Sequence, residues 1–136
     1  MPNYLNKAQV LETEDRIFED VEVPEWGGVV RVRSLMGAEK DAFEASVLVT
    51  KRMGKKLVQM PSYVNVRAKL VARCVVDENG QCLFSDEDIP ALGRKSAAAL
   101  DRVVEVAKRL NRMSEDDLDE LVGGLKNDPP DASLTA

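Results

Sequence analysis

The fold is decided by one stretch of sequence, LDRVVEVAKRL at residues 100–110. Its apolar side chains recur at spacings of three and four residues, and charged side chains fill most of the positions between them. The apolar positions on this face are Leu100, Val103, Val104, Ala107 and Leu110. This period is typical of an α-helix that buries one face and exposes the other to water. The stretch therefore predicts a long amphipathic helix whose apolar face other elements must cover.

The length and composition of the chain fit one domain with an aliphatic core. The 136 residues are 44% apolar and 32% charged, but only 4% aromatic. A chain of this length can bury a core of its own. We predict a single globular domain at residues 16–122. It is preceded by a flexible N-terminal arm at residues 1–15, which lacks a clear period, and followed by a disordered tail at residues 123–136.

Two short strands are predicted at the start of this domain. Val21 and Val23 alternate with polar residues, and Val30 and Val32 alternate with arginines. The segment Pro24-Glu25-Trp26-Gly27-Gly28 lies between them, and its proline and paired glycines favour a turn. The two strands therefore predict a β-hairpin, with the tryptophan of the turn folded back over the core.

Further helices are predicted along the rest of the chain. Apolar spacing indicates a helix over Gly37–Arg52, and Pro61 suits the first turn of the next helix. That helix is expected to end at the Asp77–Gly80 turn. Capping-box patterns predict a short helix over Ser85–Leu92 and a terminal helix over Ser114–Val122. We therefore predict an α+β fold in which an N-terminal β-hairpin packs on a bundle of about four to five helices.

The side chains that most enzymes need are missing from this chain. It contains no histidine, which removes the commonest general base and metal ligand. The acidic clusters Asp86-Glu87-Asp88 and Asp116-Asp117-Asp119-Glu120 fall at predicted helix starts, where negative charge is stabilising. Cys74 and Cys82 match no zinc or redox spacing, although a turn could bring them together into an adventitious disulfide. We predict a protein that is not an enzyme and has no catalytic residues, cofactor or metal.

The charge of the chain argues against polyanionic partners. Its formal net charge is −5, so attraction to nucleic acid or to an anionic membrane is not expected. One basic cluster surrounds Gly54, and we interpret it as a solvated loop because no aromatic side chains interleave with it. The cluster consists of Lys51, Arg52, Lys55 and Lys56. With no apolar run long enough for a membrane span and no secretory signal, we expect the protein to stay in the cytoplasm.

The order of the predicted elements carries more information than any single element. A strand ends with Val30 to Leu35, and Gly37-Ala38-Glu39 then opens a helix that contains Phe43. The helix over residues 67–76, its turn, and the long helix follow in the second half. This order resembles that of the phage tail assembly chaperone family.

The resemblance extends from about Val21 to Met113 and consists of spaced apolar and turn positions, without a catalytic signature. One position departs from it. Relatives often place a hydroxyl residue at the start of the first helix, with glutamate three positions later. Here Met36 precedes Glu39, so we expect a weaker helix cap.

The resemblance implies a non-enzymatic chaperone that binds the tape measure protein and keeps it soluble while tail tube subunits assemble. It implies residence in the host cytoplasm and absence from the mature virion. A ribosomal frameshift near residues 123–127 would add an extended form that reaches the tail tube protein. The sequence leaves open whether the chain forms a homo-oligomer. It also leaves two alternatives: a tail-completion or head-tail connector protein retained in the virion, and a small cellular enzyme that uses carboxylates alone.

The sequence also suggests where a partner would make contact. Apolar residues near predicted helix ends are the candidates, although the same residues could complete the core. These candidate partner-binding residues are Met113, Leu118, Leu121 and Val122.

Overall fold

The long helix forms as expected in a computed structural model of the chain, which describes residues 2–62 and 64–113. This helix, α5, spans Ala97–Leu110, and the Ser96 hydroxyl caps it by accepting from the Ala99 amide at 3.3 Å. One face of the helix is buried. Its buried residues are Ala99, Leu100, Val103, Val104 and Ala107. The period of three and four residues was therefore a correct guide to the core.

The predicted N-terminal hairpin is confirmed. Strand β1 at Phe18–Val23 and strand β2 at Gly28–Arg33 are antiparallel, with Val21 opposite Val30. A short 3₁₀ turn over Pro24–Trp26 joins them, and its tryptophan packs against the core as predicted. A strand that the sequence did not predict, β5 at Val75–Val76, pairs with β2 and completes a three-stranded sheet in the order β1-β2-β5.

The other helices complete an α+β fold. They are α1 at Lys7–Glu12, α2 at Gly37–Val47, α3 at Val66–Cys74 and α4 at Ile89–Gly93. The described residues thus contain five α-helices, a number within the predicted range, although α1 was not predicted and the terminal helix predicted over Ser114–Val122 lies outside these residues. Helix α5 packs against α3 on one side and against β1 and β2 on the other, so the core lies between the helices and the sheet. None of the described helices combines the length and apolar character needed to cross a membrane.

The helix predicted over Gly37–Arg52 is too long, and this is a correction. Helix α2 ends at Val47, and the chain continues as strand β3 at Leu48–Met53, which pairs with strand β4 at Lys56–Pro61. β-branched residues such as Val49 lose side-chain freedom in a helix and favour strands. A two-residue loop joins the strands, and its Gly54 takes a φ of +66°, which L side chains rarely adopt.

The predicted role of Pro61 is also wrong. Pro61 is the last residue of β4, where it lies opposite Leu48, and helix α3 begins only at Val66. Proline has no N–H to donate, so it is tolerated at the end of a strand. Helix α3 also ends earlier than predicted, at Cys74, because Val75 enters the sheet. The Asp77–Gly80 turn itself is confirmed, with Gly80 at a φ of +83°.

One ion-pair cluster joins the N-terminal segment, the sheet and α2. The Glu39 carboxylate accepts two hydrogen bonds from the Arg16 guanidinium, both at 3.0 Å, and lies 3.4 Å from Arg33. It also accepts from the Met36 amide at 2.7 Å, which is one half of a capping box. The methionine side chain has no oxygen to return the bond, as expected from the sequence. Hydrogen bonding to Arg16 is the main reason that the pKa of Glu39 is lowered.

The N-terminal arm contains a helix that the sequence did not predict. Asn6 caps α1 by accepting from the Gln9 amide at 2.9 Å, and the Gln9 side chain returns a bond to the Asn6 amide at 2.8 Å. None of the residues of α1 is buried. The flexibility of residues 1–15 and the boundaries of the domain stay predictions.

The Glu39 cluster gives a test of the fold. Glu39→Gln is expected to lower the free energy of unfolding by about 1–3 kcal/mol at neutral pH, because two arginines lose a charged acceptor. Urea unfolding followed by circular dichroism measures the change. Asp41→Asn, at an exposed position of the same helix, is the matched control and should change it by less than about 0.5 kcal/mol.

The sign of the pH dependence follows from the lowered pKa. The folded-state pKa of the Glu39 carboxyl lies below the ordinary value of 4.5. The stability that this carboxylate adds to the fold is therefore present above pH 4.5 and is lost as the pH falls through the folded-state pKa. The difference in unfolding free energy between wild type and Glu39→Gln should therefore shrink as the pH falls below 4.5. A difference that stays constant down to about pH 2 would contradict this account.

Candidate partner-binding surfaces

The structure describes only one of the four predicted contact residues. Met113 is 6% exposed and belongs to the hydrophobic core, so the chain does not present it to a partner in this conformation. Leu118, Leu121 and Val122 lie outside the described residues, and their role as partner contacts stays a prediction. Contact through Met113 would require this side chain to leave the core.

The burial of Met113 follows from the way α5 ends. Arg112 takes a φ of +53°, and the Met113 amide donates to the Lys108 carbonyl at 2.8 Å while the Arg112 amide donates to the Arg109 carbonyl at 3.2 Å. This pair of bonds is a Schellman motif, which turns the chain back across the helix and places an apolar residue against its last turn. The sequence did not reveal it, because glycine usually occupies the position of Arg112.

The β3–β4 hairpin is an exposed surface that sequence reasoning missed. None of its fourteen residues, 48–61, is buried, and Leu57 is 70% exposed. The strand order shows that no third strand pairs with β3 or β4 among the described residues. The root of the hairpin is held beside α2, where the Ser62 amide donates to the Val47 carbonyl at 2.7 Å. With six residues in each strand, the hairpin extends about 20 Å from this root.

One side of this hairpin combines apolar and basic side chains. Residues two apart in a strand point to the same side, as do residues directly opposite each other in the two strands. We call one side the hairpin face. It consists of Val49, Lys51, Met53, Lys56, Val58 and Met60. Val49 and Met60 form a half-buried pair at the root, whereas the lysines and the remaining apolar residues are exposed nearer the tip.

The charge of the hairpin differs from that of the rest of the chain. Residues 48–61 contain four basic residues and no acidic residue. Since the whole chain has a net charge of −5, the remainder has a net charge of −9. The basic cluster is exposed, as predicted, but it lies on two strands and their connecting turn and is not an irregular loop.

A shallow groove forms a second candidate surface. Trp26, Phe84 and Leu92 line it together with Glu25 and Lys95, and its volume is about 380 Å³. Glu25 accepts from the Arg102 guanidinium at 2.9 and 3.1 Å, and this hydrogen bonding is the main cause of its lowered pKa. The groove is mostly apolar, and its Glu25 carboxylate is already hydrogen-bonded to Arg102. Such a groove fits one or two apolar side chains of a ligand.

The described residues do not bring metal ligands together. No group of three or more cysteine, aspartate or glutamate side chains in residues 2–62 and 64–113 is arranged to hold a metal ion. Both cysteines are free thiols, so the disulfide that the turn between them could allow is not formed. Cys82 is exposed, whereas Cys74 is buried, and burial raises the pKa of the Cys74 thiol to about 12.

The two thiols are expected to differ in reactivity. Native protein treated with iodoacetamide at about pH 8 should gain one adduct, on Cys82, because the thiolate is the reactive form and Cys74 stays protonated. Protein unfolded in guanidinium should gain two. Peptide mass spectrometry locates the adducts, and rapid labelling of Cys74 in the native protein would show that the core around it opens.

A comparison with known protein families gives one match. The family model described as phage tail assembly chaperone matches residues 6–120, which is most of the chain and includes the hairpin, the sheet and α5. No curated protein and no solved structure gives a significant match. Because the match covers much more than half of the sequence, this chain belongs to the phage tail assembly chaperone family.

Proposed function

We propose that this protein binds the tape measure protein of its phage and keeps it soluble while tail tube subunits assemble around it. Membership of the assembly chaperone family supports a role in tail assembly. The observation that carries the finer proposal is the β3–β4 hairpin, which offers exposed apolar side chains on an element outside the core. Exposed apolar side chains of this kind add nothing to the core, but a protein that binds an apolar partner needs them.

The physical task is to shield apolar surface before assembly. Before the tail tube assembles around it, a long helical protein exposes apolar stripes. These stripes aggregate unless another surface covers them. Covering them requires no bond making or breaking, so we propose a non-enzymatic role. The family to which the chain belongs is consistent with that role.

Three further features belong to the same proposal. The protein acts in the host cytoplasm and is absent from the mature virion. A frameshift near residues 123–127 adds an extension that reaches the tail tube protein. Such an extension would start beyond α5, so it would leave the packing of the described core unchanged.

Co-expression tests the proposal directly. The tape measure protein encoded by the same phage should be mostly insoluble when produced alone and mostly soluble when produced with this chain, because its apolar stripes are then covered. Gel quantification of the soluble and pelleted fractions measures the change. An unrelated small acidic protein at the same expression level is the control, and equal solubility with either partner would contradict the proposal.

Analysis of purified particles separates the chaperone from the alternative of a retained tail protein. A chaperone should be absent from virions because it leaves as the tail tube subunits take its place. Quantitative mass spectrometry of virions purified on two successive density gradients should therefore detect less than one copy per particle. A fixed copy number of one or more would favour a tail-completion or connector protein.

A further inference from the structure

The hairpin face has an arrangement of charge and apolar surface that specifies a kind of partner. Lys51 lies opposite Val58, and Met53 lies opposite Lys56. The two lysines are therefore diagonal neighbours on one side of the hairpin, about 7–8 Å apart and somewhat closer at their Cβ atoms. The two apolar residues occupy the other diagonal, and the Val49–Met60 pair extends the apolar surface toward the root.

This spacing matches one turn of an α-helix. Side chains four residues apart on a helix are separated by about 6 Å along its axis, and flexible lysine side chains can span the difference. A helix laid along the apolar diagonal, with its apolar stripe over Val58 and Met53 and acidic residues on both sides of that stripe, would therefore meet both lysines as well. Neither Lys51 nor Lys56 has a hydrogen-bonded carboxylate in the described structure.

The distribution of charge directs such a partner to the hairpin. An acidic segment is attracted to the four basic residues of 48–61 and repelled by the remainder of the chain, which has a net charge of −9. Lysines on exposed strands can also serve to prevent edge-to-edge pairing. Lys51 and Lys56 project from the hairpin face, whereas a pairing strand would use the backbone of the edges. The two lysines are therefore placed to pair with acidic side chains of a partner that lies across the face.

We infer that the hairpin face is the client-binding surface of this chaperone and that it takes an amphipathic helix whose apolar stripe is flanked by acidic residues. The inference rests on the proposed function, because the client is the tape measure protein. Single-stranded nucleic acid fits less well, since residues 48–61 contain no aromatic side chain on which a base could stack.

Charge reversal on the face tests this inference. In the co-expression experiment, Lys51→Glu with Lys56→Glu is expected to lower the amount of tape measure protein that co-purifies per chaperone by at least about fivefold. The matched control is Lys7→Glu with Arg94→Glu, which makes the same change in net charge at exposed positions outside the hairpin. The control should retain more than about half of the wild-type amount, because general electrostatics alone is weak at this distance.

The apolar half of the face needs its own variant. Met53→Ser with Val58→Ser is expected to lower the co-purified amount by a similar factor without a change of charge, because the client loses its apolar contact. Thermal unfolding of every variant checks that the core is intact. These side chains lie outside the core, so melting temperatures should stay within a few degrees of wild type.

The outcomes distinguish failure of the inference from failure of the proposed function. If wild-type chaperone retains the tape measure protein and the hairpin variants retain as much, the inference is overturned and the proposed function stands. If wild-type chaperone retains none, both the inference and the proposed function fail.

Sedimentation velocity and gel shifts with an oligouridine RNA complete the test. If hairpin variants alter self-association or RNA binding but not client retention, the occupant is a second copy or a nucleic acid, and the inference is again overturned.

Discussion

Burial of one face of α5 is the constraint on which the rest of the structure depends. Its aliphatic side chains must be covered on two sides, by α3 and by the β1–β2 hairpin, since neither alone would exclude water. Polar contacts then hold the covering elements in place. Arg109 of α5 binds the Glu19 carboxylate of β1, and Asn111, which follows α5, donates to the Ala107 carbonyl and accepts from the Leu35 amide. Each contact is modest, but together they fix how the sheet lies on the helix.

The closed core has a consequence for function. Apolar side chains inside it are not available to a partner, so the proposed binding falls to elements that the core does not need. The β3–β4 hairpin is such an element, because it is attached to α2 at its root and contributes no fully buried side chain. On the proposed function, stability and binding therefore belong to different parts of the chain. Changes on the hairpin can alter the choice of partner at little cost to folding.

The sequence predicted the parts of the fold that have a long or clear period. Helix α5 repeats its apolar pattern along its whole length, and the β1–β2 hairpin has alternation and turn residues together. The β3–β4 hairpin was missed because the apolar run around Val47 and Val49 is too short to distinguish a helical period from strand alternation. Gly54 indicates a hairpin turn only once strands are known to flank it. The position of Met113 was harder to predict. Met113 is in the core because of a positive φ at Arg112, a backbone feature that side-chain patterns do not encode.

The most direct measurement is hydrogen–deuterium exchange of the free chaperone and of its complex with the tape measure protein. In the free protein, amides of α5 should exchange slowly and amides at residues 48–61 quickly, because a two-stranded hairpin outside the core opens readily. In the complex, exchange at 48–61 should slow while α5 stays unchanged. The account would be contradicted if 48–61 were as protected as α5 in the free protein, or if binding slowed exchange elsewhere and left the hairpin unaltered.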